Sequence, residues 1–120
     1  DPAARSLYPE ADRPQQGRVL ASRLRETYAR DGRRSPAAEI VEALLNGSAE
    51  FAAIWREHAV GVAYSDVKRL IHPEVGELEV FCQTLLDPDR SQALLVFTAA
   101  PGTESHEKLQ LLSVLGHQKI

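Results

Sequence analysis

The sequence contains no methionine and only one cysteine, Cys82, in 120 residues. A lone cysteine excludes an internal disulfide, and with it both a stapled secreted scaffold and a multi-cysteine zinc module. The missing initiator and the start at Asp1-Pro2 predict a piece processed or cut from a longer chain. Positive charge is not in excess: the net charge of −3 argues against a stand-alone nucleic-acid binder. The longest nearly unbroken apolar run, Ala93 to Ala100, falls far short of the ~20 residues that span a bilayer. No signal-peptide pattern opens the chain, so a reducing cytoplasm is the expected location and no membrane partner is expected. What remains is an ordinary globular composition, 43% hydrophobic and 26% charged, in a length that fits one domain over 1–120.

Charge is unevenly shared along that length. Residues 1–34 hold eight Arg against five acids, and residues 35–120 hold six Lys or Arg against twelve acids. A basic stem beside a nucleic-acid-binding region upstream would give this asymmetry, and so would a solvated Arg-rich helix.

The first half has helical periodicity. Asp1-Pro2 predicts a short opening helix stopped by Pro9. A second helix is expected from Arg13 to Arg30, with Leu20, Leu24 and Tyr28 on its inward face and Asp31-Gly32 closing it. Ser35-Pro36 opens a third, with an inward stripe of Ile40, Val41, Leu44 and Leu45, and Asn46-Gly47 ends it. Ser48 caps a fourth, on which Phe51, Ile54, Trp55 and His58 fall at helical spacing. After about residue 60 the period becomes that of strands. Asp66–His72 and Glu77–Leu85 read as strands around the turn Pro73–Gly76. In the second of these Leu78, Val80 and Cys82 alternate with Glu77, Glu79 and Gln83, which predicts one covered and one wet face. After a loop at Asp87–Arg90, Gln92–Ala100 reads as a third strand, apolar on both faces and therefore expected in a more central position. Val60–Tyr64 is a candidate edge strand. Thr103 or Ser105 caps a last helix carrying Leu109, Leu112 and Leu115. Helices, an antiparallel meander of three or more strands and a closing helix make an α+β fold with helices packed on one face of the sheet.

Chemistry-bearing motifs are scarce. There is no phosphate-binding loop, dinucleotide fingerprint, nucleophile elbow or zinc-protease helix. His58, His72 and Cys82 have no spacing that marks a metal site, and nothing flanking Cys82 would lower its pKa, so a core thiol is its expected role. A Cys82–His72 nucleophile pair on adjacent strands is conceivable. Trp55 and His58, three apart on a helix, read either as an aromatic core or as the mouth of an apolar pocket with His58 as its polar orienting group. His72, before Pro73, either fixes the turn or points into a cavity.

Four segments in register resemble one family. Asp1-Pro2-Ala3-Ala4-Arg5-Ser6-Leu7-Tyr8-Pro9 looks like the opening of the ligand-binding domain of MmyB-like transcription regulators. Ser48 to His58 is similar to that family's Ser-x-Glu-Phe…Trp-x-x-His helix. Lys68 to Leu78 matches its His-Pro-x-Val-Gly hairpin, and Leu95 to Gly102 its last strand and exit turn. Two positions depart: Ala59 stands where the family usually has Asp, and Cys82 where an aromatic residue is usual.

The resemblance implies a PAS-like sensor domain without catalytic activity. It implies a helix-turn-helix module N-terminal to the domain and absent from this chain, which would supply the only contact with DNA, and a homodimer is the expected assembly. The ligand it implies is small and apolar, with a fatty acid the leading class and no other cofactor. The candidate lining residues are Leu44, Phe51, Trp55, Leu78, Val80, Leu94 and Val96, and the candidate donors to a carboxylate are His58, Lys68 and His72. Two other readings are a dimerisation module with a filled core, and a small enzyme using His72 or His58 as a base.

Overall fold

The structure, a computed structural model, describes residues 2–62, 67–89 and 92–118. Helix α1 (Pro2–Arg5) and a 3-10 turn (Glu10–Asp12) precede three helices: α2 (Arg13–Asp31), α3 (Pro36–Gly47) and α4 (Ala49–Arg56). Strands β1 (Val67–His72), β2 (Gly76–Leu86) and β3 (Ala93–Thr98) follow, and α5 (Glu104–Gln118) closes the chain. The expected α+β class is what forms: helices with a three-stranded antiparallel sheet in the order β1-β2-β3. Among the described residues no helix is long and apolar enough to cross a membrane. Two compact units result, one from Asp12 to Val62 and one from the residues up to Ala11 with those from Val67 onward.

The helical unit is punctuated by two serines. Ser35 accepts a hydrogen bond from the Ala38 N–H at 3.3 Å, with Pro36 in the first turn. Ser48 serves two helices at once: its N–H donates to the Leu44 carbonyl at 2.9 Å, ending α3, and its hydroxyl accepts from the Phe51 N–H at 3.1 Å, starting α4. We expect Ser48→Ala to cost about 1 kcal/mol by leaving the first N–H groups of α4 uncapped, as read by chemical denaturation.

The buried face of α2 is not the expected one. Val19, Ala21 and Ser22 are buried, whereas Leu24 and Tyr28 are half-buried and Leu20 is 58% exposed. Small side chains set this face by allowing close approach. A Cβ on Gly17 would meet Ile54 Cδ1 at 3.4 Å, and the Ser22 hydroxyl accepts from the Val62 N–H at 3.3 Å. The α3 stripe is also only partly used. Ala37 and Val41 are buried, while Ile40, Leu44 and Leu45 are exposed, because the stripe spans more of the helix than α2 and α4 cover.

In the sheet unit, Gly76 takes a left-handed conformation (φ 78°) and completes the turn after Pro73-Glu74-Val75. The alternation expected of β2 is observed: Leu78 and Val80 are buried and Cys82 half-buried, with Glu77, Glu79 and Gln83 exposed. The expectation for β3 was wrong. β2 is the central strand and β3 lies at the edge, so its apolar residues on both faces are largely exposed.

Because β3 pairs only with Phe81–Leu86, the start of β2 lacks a neighbour on that side. The first turns of α5 supply it. The Glu79 N–H donates to the Ser105 hydroxyl at 2.9 Å and the Lys108 ammonium donates to the Glu77 carbonyl at 2.7 Å. On the outer side of β1, the Ile71 N–H donates to the Leu7 carbonyl at 2.7 Å, which ties the N-terminal segment to the sheet. Thr103, one of the two expected caps of α5, accepts from the His106 N–H at 3.3 Å. Val60–Val62 form no strand, and Ala63, Tyr64, Asp66 and Arg90 lie outside the described residues, as does the expected cap Asp1.

Candidate functional site

Trp55 is the centre of the helical unit's aromatic cluster. Phe51, one turn earlier on α4, stacks on it with ring centroids 5.3 Å apart and planes at 28°, and Tyr28 of α2 meets it edge-on at 6.1 Å. The Arg25 guanidinium, one turn before Tyr28, lies 3.9 Å from the Trp55 ring centroid. It donates from Nη2 to the Trp55 carbonyl and lies, through Nη1, 3.1 Å from His58 Nδ1. Sequence spacing did not single out Arg25, because its partners are 30 and 33 residues away.

His58 does not share a helical face with Trp55 as expected. The helix ends at Arg56, and His58 sits beyond it at φ 53°, a left-handed conformation that turns the chain. Its imidazole thereby meets Arg25. Leu44 is exposed on α3. Beside the cluster, an open groove of about 410 Å³ is lined by Tyr28, Arg33, Ala38, Val41, Glu42, Leu45 and Asn46. Tyr28 belongs to both, with one side of the ring against Trp55 and the residue lining the groove.

In the sheet unit, the register divides the expected lining residues between two faces. Lys68 pairs with Val80, Leu70 with Leu78 and His72 with Gly76, so these side chains share one face. Leu94 pairs with Leu85 and Val96 with Gln83, which places both on the opposite face. Leu78 and Val80 (3% and 0% exposed) are fully packed, whereas Leu94 is 61% exposed. Lys68 is 5% exposed, with its ammonium 5.7 Å from the Phe97 ring centroid.

His72 fixes the turn: its Nδ1 accepts from the Glu74 N–H at 3.1 Å. It is not beside Cys82, which lies six residues along β2 from Gly76, a distance of roughly 20 Å in extended chain. The conceivable nucleophile pair is therefore not assembled. Cys82 is half-buried on the covered face. Tyr8 has its phenol pKa raised, first by burial and then by the nearby Cys82. Among the described residues no group of three His, Cys, Asp or Glu side chains is placed to hold a metal ion.

The comparison with known families decides the class. A model described as the MmyB-like transcription regulator ligand binding domain matches residues 1–112. The chain belongs to this family. In this MmyB-like domain, the matched span takes in both units and all the candidate residues, ending within α5. No curated protein and no solved structure matches the chain.

Proposed function

We propose that this MmyB-like domain is the effector sensor of a bacterial helix-turn-helix regulator, acting in the cytoplasm by binding and not by catalysis. Family membership over residues 1–112 carries this reading. The ligand is a small apolar molecule, a fatty acid or one like it, and the fold that receives it is PAS-like. The exposed apolar side chains of both units support such a guest. Among the described residues, Leu44 on α3 and Leu94 on β3 belong to 15 large hydrophobic residues left exposed, against six apolar residues buried. A chain of ten methylenes removed from water contributes about 8 kcal/mol, comparable with the ~4–15 kcal/mol that association costs. On the helical unit the candidates for contact are Leu44, Phe51, Trp55 and His58. On the sheet unit they are Lys68, the exposed Leu94 and the half-buried Val96, whereas Leu78 and Val80 are fully packed and His72 serves the turn. DNA occupancy then responds only if the ligand prefers one arrangement of the regulator over another.

Native mass spectrometry of protein purified from cells is expected to show a co-purified apolar molecule. C10–C18 acids are expected to raise the melting temperature of stripped protein. Protein that is empty and indifferent to all these acids would refute the sensor reading.

The dimerisation reading draws on a different observation. Strand β3 is an uncharged edge with Leu94, Leu95 and Phe97 exposed, and it lacks the charges or prolines that usually protect an edge. Sedimentation that gives a stable dimer in the absence of any ligand would favour it.

A further inference from the structure

Resting on the reading of an apolar ligand, we propose that Arg25 is the anchor for a carboxylate at the end of that ligand, with Trp55 and His58 holding the guanidinium ready for it. The argument starts from charge. Arg18 has a carboxylate partner in Glu57 at 3.5 Å and Arg30 has one in Asp31 at 2.7 Å. Arg25, half-buried between α2 and α4, has none among the described residues. All of its partners are neutral: the Trp55 ring, the Trp55 carbonyl and His58. Guanidinium has no acceptor, so His58 Nδ1 must be the unprotonated nitrogen of the pair. Half-burial of a cation without a counter-ion is unfavourable, and an anion that arrives with its own apolar body relieves it.

The geometry suits a carboxylate. Guanidinium carries five N–H donors, of which two are engaged here, so three remain for an incoming ligand. The stacking on Trp55 and the two bonds fix the plane of the fork before binding, so little further side-chain entropy is lost when it takes up an anion. Phe51 and Tyr28 flank Trp55 and supply apolar surface next to the charge. A polar head beside an aromatic wall selects an amphiphile with one anionic end. Glu57, the neighbouring carboxylate, is engaged with Arg18 and does not occupy the place.

The test compares two probes of the same chain length, dodecanoate and dodecanol, titrated into the full 120-residue chain, with Trp55, the sole tryptophan, as the fluorescent reporter. The wild-type protein should bind dodecanoate about 10–100-fold more tightly than dodecanol, the range expected of charge-assisted bonds. Arg25→Gln should remove that preference by weakening dodecanoate alone. Arg25→Lys, which keeps the charge but not the planar fork, should retain part of it. The wild-type ratio should also fall as salt is raised, a readout that needs no variant to fold. Equal wild-type affinities, or a preference that survives in Arg25→Gln, would overturn the anchor while leaving an apolar-ligand sensor intact. Failure of both probes to bind the wild-type chain would overturn the anchor together with the reading it rests on.

Discussion

Leu78→Ala is expected to destabilise the domain by about 2–5 kcal/mol, the range for deleting a buried leucine's methyl groups and leaving part of the cavity unfilled. Leu78 is 3% exposed near the start of β2, faces Leu70 across the strand pair, and has Val80 two residues along on the same face. For a chain of this size the loss corresponds to a fall in melting temperature of roughly 8–20 °C. Leu94→Ala is the matched control. The residue type is the same and the sheet is the same, yet Leu94 is 61% exposed on the other face of an edge strand. Its truncation should change stability by no more than about 0.5 kcal/mol. Thermal unfolding of the two variants side by side checks the pair. Equal losses would mean that the register of β3 on β2 is not the one described.

That contrast also shows which parts of the fold can be read from the chain. Local chemistry was legible. Ser35 and Ser48 announce helix starts because a hydroxyl next to a helical run can accept the free N–H groups of the first turn, and both do so. Pro73 to Gly76 announces a turn because glycine alone takes its left-handed position without strain, and Gly76 is there. The alternation in β2 was legible because one face is wet. In β3 it was not, since Leu94, Leu95, Val96 and Phe97 are apolar without a break. An unbroken run is equally compatible with a central strand and with an edge whose partner is missing. Its facing is fixed by register with β2, a long-range property.

The candidate site was legible in its residue types and not in its geometry. Phe51 and Trp55 at helical spacing do stack. His58 was misplaced because Glu57-His58-Ala59 contains no glycine to mark the end of the helix, although His58 itself takes the left-handed position. The end of α4 is held there in part by Arg25. Nothing in the sequence around Arg25 distinguishes it from the other seven arginines of the first 34 residues. What distinguishes it is an aromatic ring and a carbonyl brought to it by the turn between α3 and α4. The one signal available beforehand was the pairing of an aromatic helix face with an Arg four or more residues from any acid on its own face, and that is a weak signal in an Arg-rich helix.

Trp55→Ala should cost the helical unit about 2–3 kcal/mol, below the range for a fully buried aromatic because the indole is half-buried. The loss has three parts that the geometry separates. The indole's own partial burial goes first. Phe51 and Tyr28 then lose the ring each of them packs on, at 5.3 and 6.1 Å. Arg25 loses the surface beneath its guanidinium, while its bond to the residue-55 carbonyl survives because that carbonyl belongs to the backbone. Trp55→Phe keeps a ring for Phe51 but offers a weaker face to the cation, so it should cost about 1 kcal/mol or slightly more. Circular dichroism at 222 nm during chemical denaturation reads both variants, since the helices dominate that signal. Combining Trp55→Phe with Arg25→Ala then isolates the stacking term, which should appear as a coupling of about 0.5–1 kcal/mol. A coupling near zero would mean that the guanidinium rests on the ring without gaining from it, and Arg25 would then be positioned by its two hydrogen bonds alone.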